Sequence, residues 1–459
     1  MKLNESLKCF KKYDVRGKLG VELDEGVAYR IGRATAQSLA TKSVVLGFDA
    51  RESSPKLAAA TAKGICDAGS NTLKIGLVGT EEVYSAVSTL KADAGIEITA
   101  SHNPIEYNGM KIVNHGPKPL TEKEFSNIKE VVELNDFKSP KTMGLSLDKQ
   151  DEAKLSYLDK IISFVDLNIL KSLKIVINSG NGAAGLVVDA LKEAFLEKSV
   201  PVDFVLVNNN PDPSFPKGIP NPALKKNQSE TAHIIKSVGA DFGVAFDGDF
   251  DRCFFFDHLG NFIPGEYMVG LLSTIFLTKQ TGSTVVHDPR VIWNIQDVVK
   301  NMNGRSHITR TGHAFFKSAM REVNAVYGGE MSAHHYFRDF SYCDSGMIPW
   351  LLIWELISQK NVSLADLVAE RKRLFPSSGE INFRVSDPSQ CVAMVKSFFI
   401  DQIKSFDEID GISMSFEKWR FNLRKSNTEP LVRLNVETVA DEQLLKRKTE
   451  ELESIIIKT

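Results

Sequence analysis

The chain has 459 residues, and its 56 Lys+Arg against 58 Asp+Glu leave a formal charge of −2. That balance, with no Lys/Arg-rich run, excludes a nucleic-acid binder, because neutralising a phosphate backbone needs a basic excess. With 42% hydrophobic and 25% charged residues the composition is globular rather than disordered or fibrous, and the length suits about three or four domains.

Short β-branched or apolar runs alternate with amphipathic segments, the rhythm of α/β layers. In chain order, strands are expected at 44–49, 72–78, 95–99 and 110–113, with a helix over 55–68. Lys-rich sequence from Thr121 to Asp151 reads as a helix followed by a linker. A second unit follows: strand 173–178, a glycine-rich turn, helix 186–196, strand 202–207, a long Asn/Pro loop, helix 230–238 and strand 242–246. The third has helix 266–277, strand 284–287, helix 291–302, strand 307–311, a helix from Ala314 and strand 325–327. The last stretch changes character, with strands at 380–385, 411–416, 420–423 and 431–436 and helices over 391–403 and 442–457. Residues 376–379 read as a hinge before it. The expected domains are 1–148, 149–251, 252–372 and 373–459.

Five cysteines, odd in number and without a CxxC pair, give no disulfide framework or structural zinc site and fit a reducing compartment. No run approaches about 18 uninterrupted apolar residues, and the opening MKLNESLKCFKKYD lacks the apolar region of a secretory signal. A cytoplasmic chain without membrane partners is expected.

Polar turns at strand ends are where α/β proteins bind ligands. Thr99-Ala-Ser101-His102-Asn103-Pro104, followed by Tyr107-Asn-Gly-Met-Lys111, offers a hydroxyl nucleophile with proton carriers nearby; a plain Ser/Asn/Pro turn is the alternative. Asp247-Gly-Asp249-Phe-Asp251-Arg252 places carboxylates at i, i+2 and i+4. On an extended segment these share one side, and so much negative charge calls for a divalent cation with oxygen ligands, Mg²⁺, Ca²⁺ or Mn²⁺. An EF-hand is excluded, since its Gly and Glu positions hold Arg252 and His258.

Gly328-Gly329-Glu330-Met331-Ser332-Ala333-His334-His335 pairs a carboxylate with a hydroxyl two residues on, suited to neighbouring sugar hydroxyls; a structural loop is equally open. Thr311-Gly312-His313 is a weaker signal of the same kind. Arg424-Lys425-Ser426-Asn427-Thr428, with Arg433 on the next strand, has the guanidinium, hydroxyl and amide groups of a phosphate cradle; an exposed cationic hairpin is the alternative. Gly180-Asn-Gly182-Ala-Ala-Gly185 matches GxGxxG, but the following strand ends in Asn208-Asn209-Asn210, with no acid for a ribose. Close helix–strand packing explains those glycines better than NAD does.

Taken in this order across four expected domains, TASHNP with YNGMK, DGDFDR, GEMSAH and RKSNTEP resemble the phosphoserine, metal, sugar and phosphate loops of the α-D-phosphohexomutase superfamily, most of all its bacterial phosphomannomutase branch. The resemblance runs from Tyr13-Asp-Val-Arg16-Gly17 to the C-terminal domain. It implies three similar α/β domains with mixed sheets sandwiched by helices, plus a C-terminal α+β domain, around a central cleft. It further implies that Ser101 carries a phosphoryl group and, with Asp247, Asp249 and Asp251, holds Mg²⁺. Arg252 would meet the transferring phosphoryl; Thr311, Gly312, His313, Glu330 and Ser332 would read the sugar; Arg424, Ser426, Asn427, Thr428 and Arg433 would grip the other phosphate. His102, Lys111 and His334 are the implied proton carriers. Two departures are the doubled histidine and Arg290, where relatives often have Lys.

The implied reaction interconverts mannose 6-phosphate and mannose 1-phosphate through a hexose 1,6-bisphosphate, which also acts as activator, and supplies GDP-mannose and polysaccharide synthesis. Phosphoglucomutase or dual specificity is the alternative, and a non-catalytic sugar-phosphate sensor the remote one. A haloacid-dehalogenase-type transferase would use Asp247 as nucleophile, but the small residues it needs are replaced by Phe250-Asp251. The expected partner is a small hexose phosphate, and both monomer and dimer stay open.

Overall fold

The computed structural model describes residues 7–426 and 431–457. Contacts divide the chain into two compact units, Met1–Phe262 with His334–Asn361 and Ile263–Ala333 with Val362–Thr459.

In the first unit one sheet runs in the order Val15–Lys18, Tyr107–Asn114, Ala94–Ile98, Ser43–Phe48, Asn71–Leu77, Ser146–Asp148. Ser43–Phe48 is parallel to both its neighbours, while Tyr107–Asn114 is antiparallel to both of its own. Helices Glu25–Ser38, Ser54–Asp67 and Glu122–Leu134 press Ile31, Leu57, Ile65 and Ile128 onto Val44, Leu46, Ile96 and Met110. The expected linker is a correction: it contains the edge strand Ser146–Asp148 and leads into helix Gln150–Ile162. Every residue of that strand is exposed, so no apolar alternation announced it. Helix Thr80–Thr89 is an element the sequence reading lacks; its Glu81 and Glu82 are buried, so it shows no clean polar face.

The second sheet of this unit orders Cys253–Asp257, Phe242–Phe246, Leu173–Asn178 and Val202–Val207. Its first two strands are buried at every position, which is why they read as unbroken apolar runs. They form an antiparallel hairpin, so the boundary expected at 251 passes through one element. Residues 334–361, grouped by sequence with the third domain, cluster here as well. The reason is helix Met347–Lys360, whose Trp350 and Trp354 pack edge-on against Phe204 at ring distances of 5.6 Å. Glu81 fixes the start of that helix, accepting from Ser345 Oγ (3.0 Å), the Gly346 and Met347 N–H groups and the Tyr157 hydroxyl. A carboxyl group at a helix N-terminus satisfies orphan donors and suits the dipole.

The GxGxxG turn is a packing device. A Cβ at Gly185 would lie 1.6 Å from the Asn209 carbonyl oxygen. Gly185→Ala is therefore expected to destabilise the chain by about 1–3 kcal/mol, as overpacking does, measured as a lowered urea midpoint.

In the second unit Arg305–Ile308, Thr284–His287 and Tyr327–Gly329 form a parallel trio. The two outer strands lie about two residues from their expected positions: Arg305 and Ser306, which open the first, are polar and exposed, and Gly328-Gly329 carries no β signal. An antiparallel sheet follows in the order Ile381–Arg384, Leu431–Thr438, Trp419–Lys425, Ile412–Ser415, Ser405–Asp407. Helices Pro388–Phe399 and Glu442–Ile456 bury Cys391, Val395, Phe399, Leu452 and Ile456 against it, giving the expected α+β layer. A buried ion pair, Arg420–Glu437 at 2.8 Å, fastens this sheet to the segment before helix Trp293–Asn301. Among the described residues no helix is long and apolar enough to cross a membrane, and all five cysteines are free thiols.

Candidate active site

Strand Phe242–Phe246 delivers the chain to Asp247, and the return strand begins at Cys253. The aspartates do not converge by sharing one side of an extended segment, as their spacing suggested. The chain turns instead, with Phe250 at φ +41° and its N–H donating to the Asp247 carbonyl at 3.1 Å. The Phe250 ring is buried where Gly79 leaves room; a Cβ at Gly79 would lie 2.1 Å from it. This turn brings one oxygen each of Asp247, Asp249 and Asp251 within 4.8 Å of one another, all buried.

In this loop Asp249 Oδ1 is buried and accepts no hydrogen bond, while Asp251 Oδ1 faces His334 Nε2 at 3.4 Å and Arg252 Nε at 3.8 Å. A buried carboxylate oxygen without a donor is costly unless a cation meets it, and an all-oxygen set suits a hard divalent ion. The residues therefore fit Mg²⁺. Lys111 donates to Asp249 Oδ2 at 2.7 Å and also to Asp251. Burial alone would lower its ammonium, but the two carboxylates outweigh that and hold it above its ordinary value. Lys111 is thus a fixed counter-charge in this state. Burial pushes Asp247 up to about 6, against the pull of Arg252. Burial acts the same way on Asp251, yet Lys111, His334 and Arg252 hold it well below the usual carboxylate range.

Ser101 is buried and sits at φ +49°, a left-handed conformation that a non-glycine residue keeps only when its surroundings impose it. Arg51 imposes it. Its guanidinium, itself buried, donates to the carbonyls of Ser101 (2.9 Å), Asn103 (2.6 Å), Pro104 (3.0 Å) and Tyr107 (3.0 Å). The result aims Ser101 Oγ at Asp247 Oδ2, 2.9 Å away, with His102 Nδ1 at 3.1 Å. Arg252 donates to Asp247 Oδ2 at 2.8 Å through Nε and also meets His102 Nδ1. Although His102 as a residue is exposed, that guanidinium holds its imidazolium well below the usual pKa, so the ring stays neutral.

His334 Nε2 lies 3.4 Å from Asp251 Oδ1, and its ring stacks on Tyr336. Its neighbour His335 is fully buried, and burial lowers it to about 3. Of the doubled histidine, only His334 faces the acidic loop. The structure thus brings Ser101, His102, Lys111, the three aspartates, Arg252 and His334 together. Sequence reasoning missed Arg51, and it missed Thr80, whose hydroxyl donates to Asp249 Oδ2 at 2.7 Å. Nothing in local spacing marks either; both act from separate strand–helix turns.

In the second unit Glu330 is buried and accepts from the Gly312 N–H at 3.2 Å and from Ser332 Oγ at 3.5 Å. The Thr311 N–H donates to Asp410, and His313 opens the helix His313–Glu322. Arg290 lies 2.8 Å from Asp288, 3.7 Å from Glu330 and 3.4 Å from Ser332 Oγ. Arg424 and Arg433 stand opposite each other on paired strands and both reach Glu380. Lys425 turns away to Ser389. The Ser426 N–H donates to the Leu431 carbonyl at 2.9 Å, closing the hairpin, while Asn427 and Thr428 lie outside the described residues.

Comparison with known proteins places names beside this geometry. Residues 7–139, 155–260 and 264–375 match alpha/beta/alpha domains I, II and III of phosphoglucomutase/phosphomannomutase, and residues 380–454 match its C-terminal domain. The chain is 50% identical to a phosphomannomutase of Vibrio cholerae over 99% of both chains. It is also 50% identical to a Xanthomonas campestris protein named as phosphohexose mutases, covering 98% of this chain and 99% of the other. A solved phosphoglucomutase/phosphomannomutase family protein from Burkholderia thailandensis superposes with TM-score 0.85 at 27% identity, covering 98% and 96% of the two chains. An N-acetylphosphoglucosamine mutase from Aspergillus fumigatus, solved with GlcNAc-6P and magnesium, shares the fold at TM-score 0.64 and 14% identity, covering 99% and 96%.

Proposed function

The chain belongs to the phosphoglucomutase/phosphomannomutase family, and on that premise we propose that it interconverts mannose 6-phosphate and mannose 1-phosphate through a phosphorylated Ser101 and a hexose 1,6-bisphosphate. The observation that carries this reading is Ser101 Oγ, held in a left-handed turn 2.9 Å from Asp247, beside three converging carboxylates.

Asp247, Asp249 and Asp251 would hold Mg²⁺ with an oxygen of phosphorylated Ser101, and the ion supplies neutralisation of the charge on the transferring group. In the first half-reaction a sugar oxygen forms the new bond to phosphorus as the bond to Ser101 Oγ breaks; in the second, Ser101 Oγ forms that bond as the bond to the other sugar oxygen breaks. The hydroxyl's proton passes to a base, for which His334 is the group we favour, and Ser101 Oγ is left to regain one. Arg252, held by Asp247, would meet the phosphoryl oxygens. Lys111, hydrogen-bonded to Asp249 and Asp251, would stabilise charge beside the transferring group. Glu330 and Ser332, with the 311–313 turn, would read sugar hydroxyls, and Arg424, Ser426, Asn427, Thr428 and Arg433 would hold the phosphate that does not react. The bisphosphorylated sugar then turns over and returns its other phosphate to Ser101. Five free thiols accord with a reducing, cytoplasmic setting.

The test compares kcat/KM for mannose 1-phosphate and glucose 1-phosphate, with intact-mass measurement before and after incubation with a hexose 1,6-bisphosphate. A preference for mannose and a labile gain of about 80 Da at Ser101 are expected. Preference for glucose would reassign the substrate, and persistent absence of the added mass would overturn the phosphoserine route.

A further inference from the structure

Arg424 and Arg433 are direct cross-strand partners in the antiparallel register of Trp419–Lys425 and Leu431–Thr438. Two like charges so placed repel one another unless an anion lies between them. Here the anion belongs to the chain: Glu380, just before strand Ile381–Arg384, accepts from Arg424 Nη2 at 2.8 Å and from Arg433 Nη1 at 3.2 Å. Its Oε2 also lies 3.6 Å from Arg290 Nη1. One carboxylate thus links the two arginines to the cluster that holds Glu330 and Ser332.

We infer that Glu380 is a built-in surrogate for the substrate's non-reacting phosphate, occupying Arg424 and Arg433 when no ligand is bound and giving way to the phosphate when one arrives. The inference rests on the reading of Arg424 and Arg433 as the phosphate grip.

Charge arithmetic favours exchange over joint occupancy. Asp288, Glu330 and Glu380 already balance Arg290, Arg424 and Arg433, so a dianion added without displacement would leave the cluster at about −2, against about −1 if Glu380 swings out. Burial and Arg290 push the Arg424 guanidinium down while Glu380 pulls it back, so removing any anion from the pair is unfavourable. Access also permits the exchange: the Glu380 side chain is 23% exposed, at the edge of the cluster rather than sealed inside it. Glu380 follows Gly379, at φ +67°, whose carbonyl accepts from Asn435 Nδ2 at 2.9 Å. The backbone is thereby anchored, and the exchange needs only rotation of the side chain. During turnover the intermediate must leave the arginines and return reversed, and a tethered carboxylate keeps them partnered in between.

The experiment measures KM for mannose 1-phosphate and the inhibition constant of inorganic phosphate for the full-length wild-type, Glu380→Gln and Arg424→Ala chains, each checked by thermal melting. Glu380→Gln is expected to lower both constants about fivefold, the scale of a partly exposed ion pair, and to lower kcat, because release of the intermediate slows. Arg424→Ala should raise both constants. If Glu380→Gln raises both constants or leaves them unchanged while Arg424→Ala weakens phosphate, Glu380 only positions the arginines and the surrogate role is overturned. If Arg424→Ala leaves phosphate inhibition intact, the phosphate grip itself falls, and the inference with it. Should Glu380→Gln fail to fold, Glu380→Asp, too short to reach both arginines, decides by the same measurements.

Discussion

Ser101→Ala is expected to lower kcat by on the order of 10⁴-fold or more, as loss of a covalent nucleophile does, with the melting temperature near wild type. The two halves of that expectation have separate causes. Arg51 holds the loop through main-chain carbonyls, which alanine keeps, so the turn survives without the hydroxyl. The hydroxyl is the only group of Ser101 aimed at Asp247, so its loss removes the group that would carry phosphate. The labile mass gain should vanish with it. Asp247→Asn is the companion variant: it keeps Ser101 and should retain residual turnover, because Asp249 and Asp251 remain. The reverse pattern, an active Ser101→Ala and a dead Asp247→Asn, would make Asp247 the nucleophile. The geometry argues against that, since Asp247 Oδ2 is already engaged by Ser101 Oγ and Arg252 Nε.

Glu437→Ala is expected to cost about 3–5 kcal/mol, the penalty for breaking one side of a buried ion pair. Glu437 accepts from Arg420 at 2.8 Å and from the N–H groups of Ile292 (2.8 Å) and Trp293 (3.0 Å) at the start of helix Trp293–Asn301. Arg420 in turn donates to the carbonyls of Pro289 (2.9 Å) and Arg290 (3.2 Å). Both side chains are fully buried. Truncation therefore leaves a guanidinium without its counter-charge and two helix N–H groups without an acceptor. Hydrogen exchange over residues 292–301 should accelerate together with a fall in the denaturant midpoint, whereas Glu437→Gln, which retains one acceptor oxygen, should fall between. A loss below about 1 kcal/mol, the worth of a surface pair, would mean that the contact does not fasten these segments.

The sequence by itself determined the layered α/β class, most strand positions and which loops hold chemically able side chains, because each of these is a local property. Apolar runs such as 173–178 and 242–246 mark buried strands wherever they occur, and an Asp/Gly/Asp/Phe/Asp turn concentrates charge whatever surrounds it. Exposed or polar elements were not legible. The edge strand Ser146–Asp148 carries no buried face, and Glu81 and Glu82 look like surface residues until Tyr157 and the start of helix Met347–Lys360 enclose the first of them. Only the tertiary structure decided the rest. That Lys111 pairs with Asp249 and Asp251, that Arg252 meets His102, that His334 rather than His335 faces the aspartates, and that Arg51 holds Ser101 all depend on groups brought from distant turns. Glu380 is the clearest case: nothing around it in sequence distinguishes it from a surface glutamate, and its role arises only because strand pairing sets Arg424 and Arg433 side by side. Residue types state which chemistry is available, but charge and protonation are set by distance and burial, and those are fixed only when the sheets assemble.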